Sequence, residues 1–392
     1  MKYLNPSIVM SAAALFLISA CAHLRGDPST EVEMPKQYVN VADFEGTANE
    51  RIEAAITAAM ETGHKTVFFP NGEYLLRHGL NLNRGLHTEL HLVGESRDGV
   101  RLTPDIEYLV ANYNDGNFQD GNGKRLAHMI NLSAPDVFDF VDVSIQNMTL
   151  DMKSQAIYYQ PVTYNVVGHG IRVGTGWRKG QFKVDRVTIM NVAGYGIGIQ
   201  DRGGHPKNNM TLTNLHIERT GSDGIDTKEA SGEGNRNLVI RDVTVKDIGY
   251  TDTGAAPALD IRYRTVIMER VKLISAGSRT LPDGKRNNIA GINFRPEGNV
   301  LSARVSDVYA KGFTTAIHLH AAGEHQHKNI HISDFKIHDY SYAGICVRGS
   351  GHAGHTISDG HVHSGGGKAL MLPEQGVTIR NVAEGPWPNQ QR

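Results

Sequence analysis

Between residues 224 and 295 the chain pairs polar residues across one intervening residue three times: Asp226 with Lys228, Asp260 with Arg262, and Asn293 with Arg295. In an extended segment that spacing puts both members of a pair on one face. Carboxylates brought side by side repel unless a proton, a cation or a metal intervenes. Lys228, Arg262 and Arg295 would neutralise them and would also attract an anionic ligand. Asp226 and Asp260 could share a Ca²⁺ through their oxygens. Two carboxyls flanking a bond suit hydrolysis by a paired acid and base. A base beside cations suits proton removal next to a carboxylate. The alternative without chemistry is a solvated charge ladder whose salt bridges contribute little.

What positions these pairs is a repeat. A small residue, an aliphatic, any residue, an apolar residue and any residue recur from Gly170, Gly196, Gly224, Ala258, Gly291, Ala316, Gly344 and Ala369. A period of about 25 residues with strand-type alternation is that of a solenoid. Two further alternating runs follow each phrase, as in Leu238-Val239-Ile240 and Val243-Thr244-Val245. The expectation is an all-β fold: a single-stranded, right-handed parallel β-helix with three strands per turn. Equivalent residues then stack about 4.8 Å apart. One inward ladder is Ile171, Ile197, Ile225, Leu259, Ile292, Ile317, Ile345 and Leu370. The other is Val173, Ile199, Thr227, Ile261, Phe294, Leu319, Val347 and Leu372, where Thr227 alone breaks the apolar rule. A local departure from a consistent pattern marks a place to look for function. Asn214, Asp242, Asp307, Asp334, Asp359 and Asn381, interrupted by Arg186 and Arg270, fall between the second and third strands. These read as turn formers, because Asn and Asp tolerate left-handed backbone.

Forty-three glycines and 7% aromatics suit tight turns around a narrow aliphatic core. A net charge of -1 with no basic stripe argues against nucleic acid as a partner. Residues 1–20 read as a lipoprotein signal peptide, since Ile8 to Ala20 is too short to span a membrane. Ile18-Ser19-Ala20-Cys21 resembles the bacterial lipobox, which implies that Cys21 is lipidated and anchors the chain to the membrane. The expected location is the bacterial cell envelope, after export across the inner membrane. Residues 21–37 read as a tether, 38–382 as the β-helix domain and 383–392 as a C-terminal tail. Thr47-Ala48-Asn49-Glu50 has capping-box spacing and opens one short amphipathic helix ending at Gly63, placed to cover the open first turn. With Cys21 acylated, Cys346 stands alone and no disulfide forms.

Asn40-Val41-Ala42-Asp43-Phe44, the helix, and Val67-Phe68-Phe69-Pro70-Asn71-Gly72-Glu73-Tyr74 resemble the N-terminal cap of the pectate-lyase-like β-helix superfamily, especially bacterial members related to family 28 glycoside hydrolases. The resemblance implies a polysaccharide partner and a saccharide cleft on the first strand of each turn. Its two outward columns read Arg172, Gly198, Asp226, Asp260, Asn293, His318, Cys346, Met371, and Gly174, Gln200, Lys228, Arg262, Arg295, His320, Arg348, Pro373. Ser222-Asp223-Gly224-Ile225-Asp226 is similar to the family 28 motif Asn-Thr-Asp-Gly-x-Asp. The family's paired Asp on the next turn is replaced by Pro257-Ala258, and its later Gly-His-Gly is absent near Ala290. Gly168-His169-Gly170 has those letters two turns early.

The residues present therefore suit β-elimination better than hydrolysis. Lys228, or Arg262, would be the base, Arg295 would hold the substrate carboxylate, and Ca²⁺ would sit on Asp226 and Asp260. The expected protein is a surface-anchored, monomeric enzyme cleaving a uronic-acid-containing polysaccharide. The alternatives are a glycoside hydrolase using Asp223, Asp226 and Asp260, and a non-catalytic glycan-binding module. Asn293, His318, His320, Tyr250 and Tyr263 join Arg295 as expected substrate contacts. Tyr158, Tyr159 and Tyr164 could also stack on sugar faces or donate a proton, and for these tyrosines with Tyr250 and Tyr263 as a group packing under loops is the main reading. The pairs His318/His320, His325/His327 and His361/His363 have the alternation that can hold a transition metal.

Overall fold

Alternating apolar residues can be buried along a strand only if a neighbouring strand repeats the pattern in register, and the eight phrases supply that neighbour at each turn. The computed structural model describes residues 37–112, 128–154, 168–200, 209–228, 237–250, 255–278, 288–295, 299–322, 326–363, 366–373 and 375–385. The expectations for the signal peptide, for Cys21 and the tether up to residue 36, for Tyr158, Tyr159, Tyr164 and His325, and for residues 386–392 of the tail lie outside these.

The eight phrases, preceded by Leu80–Asn81 and His128–Leu132, form a ten-stranded parallel sheet among the described residues, running in chain order to Lys368–Met371. A second parallel sheet closes the coil, and the chain winds as a right-handed parallel β-helix. In most turns the second and third strands run on as one bent strand, such as Asn237–Lys246 or Thr265–Ile274, whereas Met210–Thr213 and His216–Thr220 stay separate. The bend lies at the Asn/Asp ladder. Asn214, Asp242, Asp307, Asp334, Asp359 and Asn381 all have φ between 50° and 55°. Arg186 and Arg270 adopt the same left-handed conformation, at 53° and 55°. Each leans its guanidinium back on the turn residue one rung earlier: Arg186 Nε donates to Asn147 Oδ1 at 2.8 Å, and Arg270 Nε to Asp242 Oδ1 at 2.6 Å. That pairing offsets a backbone conformation disfavoured for a residue with a Cβ.

Both inward ladders are fully or nearly fully buried from the turn of Ile171 to that of Ile345. At the N-terminal end Ala48–Thr62 is helical, with both halves of the Thr47/Glu50 capping box formed and Gly63 closing it at φ 75°. Ile52, Ala55, Ile56 and Ala59 are completely buried, so the helix removes the first turn's apolar face from water. At the other end Leu370 and Leu372 are only partly buried.

Candidate active site

The outward column is in register as the repeat demands. Arg172, Gly198, Asp226, Asp260, Asn293, His318, Cys346 and Met371 are successive strand partners. Its middle is not solvated. Asp226 and Asp260 are completely buried, and Asp223 is 3% exposed. One oxygen from each of the three carboxyls lies within 4.8 Å of the other two.

Such crowding needs counter-charge, and two arginines supply it. Arg262 reaches back over its own strand: Nη1 donates to Asp226 Oδ1 at 3.3 Å and Nη2 to Asp260 Oδ2 at 2.9 Å. Arg295 Nε donates to both oxygens of Asp260, at 2.9 and 3.0 Å, and Asn293 Nδ2 donates to Oδ1 at 3.0 Å. Asp223 has a weaker partner, the Ser222 hydroxyl, which donates to Oδ1 at 3.0 Å. Burial, then the charges of Asp226 and Asp260, push the Asp223 carboxyl well above the usual carboxylate range, against smaller opposing effects of Ser222 and Arg295. The surroundings of Asp223 therefore favour its protonated form.

Local sequence explains the convergence. Gly224 separates Asp223 from the strand of Asp226, and a Cβ there would come within 2.6 Å of Ala258 O and of Val245 Cγ1. Only glycine lets the chain approach the next turn this closely. Thr227, the exception in the inward ladder, is completely buried. Its Oγ1 donates to Asp260 O at 2.8 Å and accepts from Arg262 N at 2.9 Å. The regular pairing of these two strands ends at Asp226 and Asp260. The hydroxyl thus stands in for main chain and anchors both neighbours of Ile261.

The other expected site residues divide. His318 stacks on His320 with ring centres 5.4 Å apart. Burial, followed by His320 and nearby arginines, lowers His318 to about 4, so it is neutral at pH 7. Tyr250 is half-buried in the turn beside Ser222, its N–H donating to Thr220 O at 3.2 Å.

Tyr263 is a correction. Its ring is completely buried in the core and its hydroxyl lies 3.9 Å from Met210 Sδ, so it turns inward, away from any substrate. Arg262 is also corrected as a base, because it is 9% exposed and its guanidinium already donates to two buried carboxylates. Lys228 continues the strand Ile225–Lys228, opposite Gln200, and its side chain lies outside the described residues.

The expected Ca²⁺ fits these residues poorly. Ca²⁺ takes six to eight oxygens, whereas here guanidinium nitrogens already occupy Asp226 Oδ1 and both oxygens of Asp260. A second convergence, Glu89, His91 and Asp142, lies on the other sheet, where Lys65 ion-pairs with Glu89. The alternating histidines do not combine into a metal centre among the described residues. His327 Nε2 bonds to His320 O at 2.8 Å, and His361 stands on the other sheet and bonds to Gly385 O. Cys346 is buried, which pushes its thiol up and away from nucleophile chemistry.

One group escaped the reading of columns. His128, His169 and Tyr195 stack face to face on successive turns, with centres 4.7 Å apart at each step. The signal was Gly168-His169-Gly170, whose letters looked misplaced. The stack needs a position just before the phrase, outside the two columns considered.

A right-handed parallel β-helix with an enclosed acid cluster on its first-strand sheet defines a pectate-lyase-like β-helix protein. The chain belongs to the rhamnogalacturonase A/epimerase, pectate lyase-like family, whose model matches residues 38–267. No curated protein matches the sequence. Among solved structures it is similar to the endo-xylogalacturonan hydrolase of Aspergillus tubingensis, with 12% identity, a TM-score of 0.50, and 86% of this chain and 90% of that one covered. It is also similar to the A-module of the Azotobacter vinelandii mannuronan C-5 epimerase AlgE6, with 14% identity, a TM-score of 0.38 and coverage of 90% and 100%. The surface adhesin PfbA of Streptococcus pneumoniae has 11% identity, a TM-score of 0.44 and coverage of 89% and 90%. These likenesses are likenesses of fold.

Proposed function

We propose that the protein is a glycoside hydrolase acting on an anionic, uronic-acid-containing polysaccharide, with Asp223 as the general acid. The observation that carries this reading is the convergence of Asp223, Asp226 and Asp260, in which arginines hold two acids and burial beside them favours the protonated form of the third. Asp223 would donate its proton to the departing glycosidic oxygen. The Asp226 carboxylate, with an oxygen within 4.8 Å of one on Asp223, would be the second carboxyl of the pair. Asp260, fixed by Arg262, Arg295 and Asn293, would serve as the counter-charge that keeps both arginines in place. Cations nearer the surface favour an acidic chain: Arg295 and Arg172 are partly exposed and Arg348 is exposed, while the acids are buried beneath. Membrane anchoring through Cys21 remains part of the proposal and rests on the Ile18-Ser19-Ala20-Cys21 segment.

β-Elimination is the second reading, favoured by Lys228 following Asp226 and Thr227 on the same strand. The two part on one experiment. Purified protein is incubated with a panel of polyuronates while reducing ends and ultraviolet absorbance are followed. New reducing ends without absorbance support hydrolysis. Absorbance from an unsaturated product, lost in Lys228→Ala, supports elimination. Binding with neither signal makes the protein a glycan-binding module.

A further inference from the structure

The acids have a neighbour that the proposed chemistry does not use. Tyr195 occupies the position one turn before Asp223, as the backbone shows: Gly170 N donates to Tyr195 O and Gly196 N donates to Asp223 O, each at 3.1 Å. Its ring stacks on His169 at 4.7 Å and 20°, and His169 stacks on His128 at 4.7 Å and 17°. The imidazoles also hold the main chain. His169 Nδ1 accepts from Tyr195 N at 3.1 Å, and His128 Nδ1 accepts from His169 N at 3.3 Å. His169 is 1% exposed, whereas Tyr195 is half-buried and reaches the surface.

Gly198 explains why the rings can lie so close to the strand. It is the register partner of Asp226, and a Cβ there would come within 3.0 Å of Tyr195 Cδ2 and 3.1 Å of His169 Cδ2. The glycine therefore lets an aromatic ring fold down onto the sheet immediately beside the acids. On the far side of Gly198, Arg172 continues the column, its Nη1 2.9 Å from His128 Nε2.

We propose that Tyr195, pinned by the imidazole stack over Gly198, forms the wall of a sugar subsite next to Asp223, from which the bound uronic-acid chain runs over the stack toward Arg172. His169 stacks on Tyr195 from the preceding turn, and Asp223 holds the equivalent position on the following one. An aromatic face there would pack against the C–H face of the sugar beside the cleaved bond. Arg172 would meet the carboxylate of a sugar further along. His169 and Gly198 are positioning residues that act through Tyr195. The inference rests on the hydrolase reading above.

The test measures KM and kcat on oligogalacturonides, with affinity read by calorimetry in an Asp223→Asn background that binds without turnover. Tyr195→Ala should weaken binding and raise KM about tenfold, while Tyr195→Phe should stay within about twofold. Gly198→Ala, which leaves Tyr195 intact but drives a methyl against both rings, should fall between them. Unfolding midpoints like that of the parent establish that the variants fold. Tyr195→Ala with unchanged affinity and KM overturns the inference and leaves the acid assignment standing. A parent protein that neither binds nor cleaves the oligomers removes the hydrolase reading, and the inference with it.

Discussion

Thr227 Oγ1 accepts the main-chain N–H of Arg262 at 2.9 Å, one turn further along the coil, and donates to Asp260 O at 2.8 Å. A single buried hydroxyl therefore satisfies two main-chain groups on either side of Ile261, next to the acids that Arg262 bridges. Apolar residues at the same ladder position in other turns have no hydroxyl to make such bonds. The polar exception is the price the core accepts for placing Arg262 over two carboxylates.

Thr227→Val keeps the shape and removes the hydroxyl. It should lower stability by about 1–3 kcal/mol, the cost of leaving buried polar groups unsatisfied. Activity should fall further than stability accounts for, because the Arg262 main chain is released. Thr227→Ser should restore most of both. Denaturant unfolding and kcat on one substrate check this, and an active, fully stable Thr227→Val protein would remove the positioning role.

Asp223→Asn should reduce turnover by about a hundredfold or more, the usual contribution of a general acid. The sign for stability is opposite. Because the folded pKa of Asp223 is raised, the native state holds this proton more tightly than the unfolded chain does. That contribution is full below the unfolded pKa and is lost as pH rises through the folded value. The Asn variant should therefore gain stability relative to the parent as pH increases, and the parent's activity should fall over the same alkaline limb. Unfolding curves and rate profiles across pH read the two together. A variant that tracks the parent at every pH contradicts the assignment of the proton to Asp223.

The scaffold was legible because its rule is local and repeated: small, aliphatic, any, apolar, any. That rule placed Asp226 beside Asp260 and Asn293 beside His318, and marked Thr227 as an exception. The burial of the acids was not legible, since parity says only that a side chain points away from the core. Nor could it show that Arg262 folds back over its own strand to reach Asp226. Tyr263 was misplaced because the phrase ends at Arg262, and the chain beyond it turns inward, carrying the ring into the core. The His128, His169 and Tyr195 stack lay outside both columns, in a position where most turns carry small or non-aromatic residues.

Acid should unfold this protein earlier than its net charge suggests. His318, His327 and His355 are each lowered to about 4, with burial the largest cause. Folded values below the unfolded one mean that the native state binds fewer protons, so stability present above about pH 6.5 is lost as pH falls toward 4. For His327, which is completely buried, the loss is about 3 kcal/mol. Unfolding midpoints at pH 7 and pH 4.5 should differ, and His327→Gln should narrow the difference. Equal midpoints at both values would show that these imidazoles do not resist protonation.

Arg262 provides the clearest contrast between a guanidinium-held and a metal-held cluster. If Arg262 and Arg295 supply the positive charge at Asp226 and Asp260, chelator should leave activity and the unfolding midpoint unchanged, and added Ca²⁺ should raise neither. Removing Arg262 should instead be severe: Arg262→Ala strands two buried carboxylates and should cost about 3–5 kcal/mol. Arg262→Lys should recover only part, because one ammonium cannot reproduce the fork that touches Asp226 at 3.3 Å and Asp260 at 2.9 Å. Thermal unfolding with and without chelator, across the parent and both variants, separates the two schemes. A Ca²⁺-dependent midpoint in the parent, lost with Asp226→Asn, would restore the metal to the cluster and displace the arginines from the role argued for them.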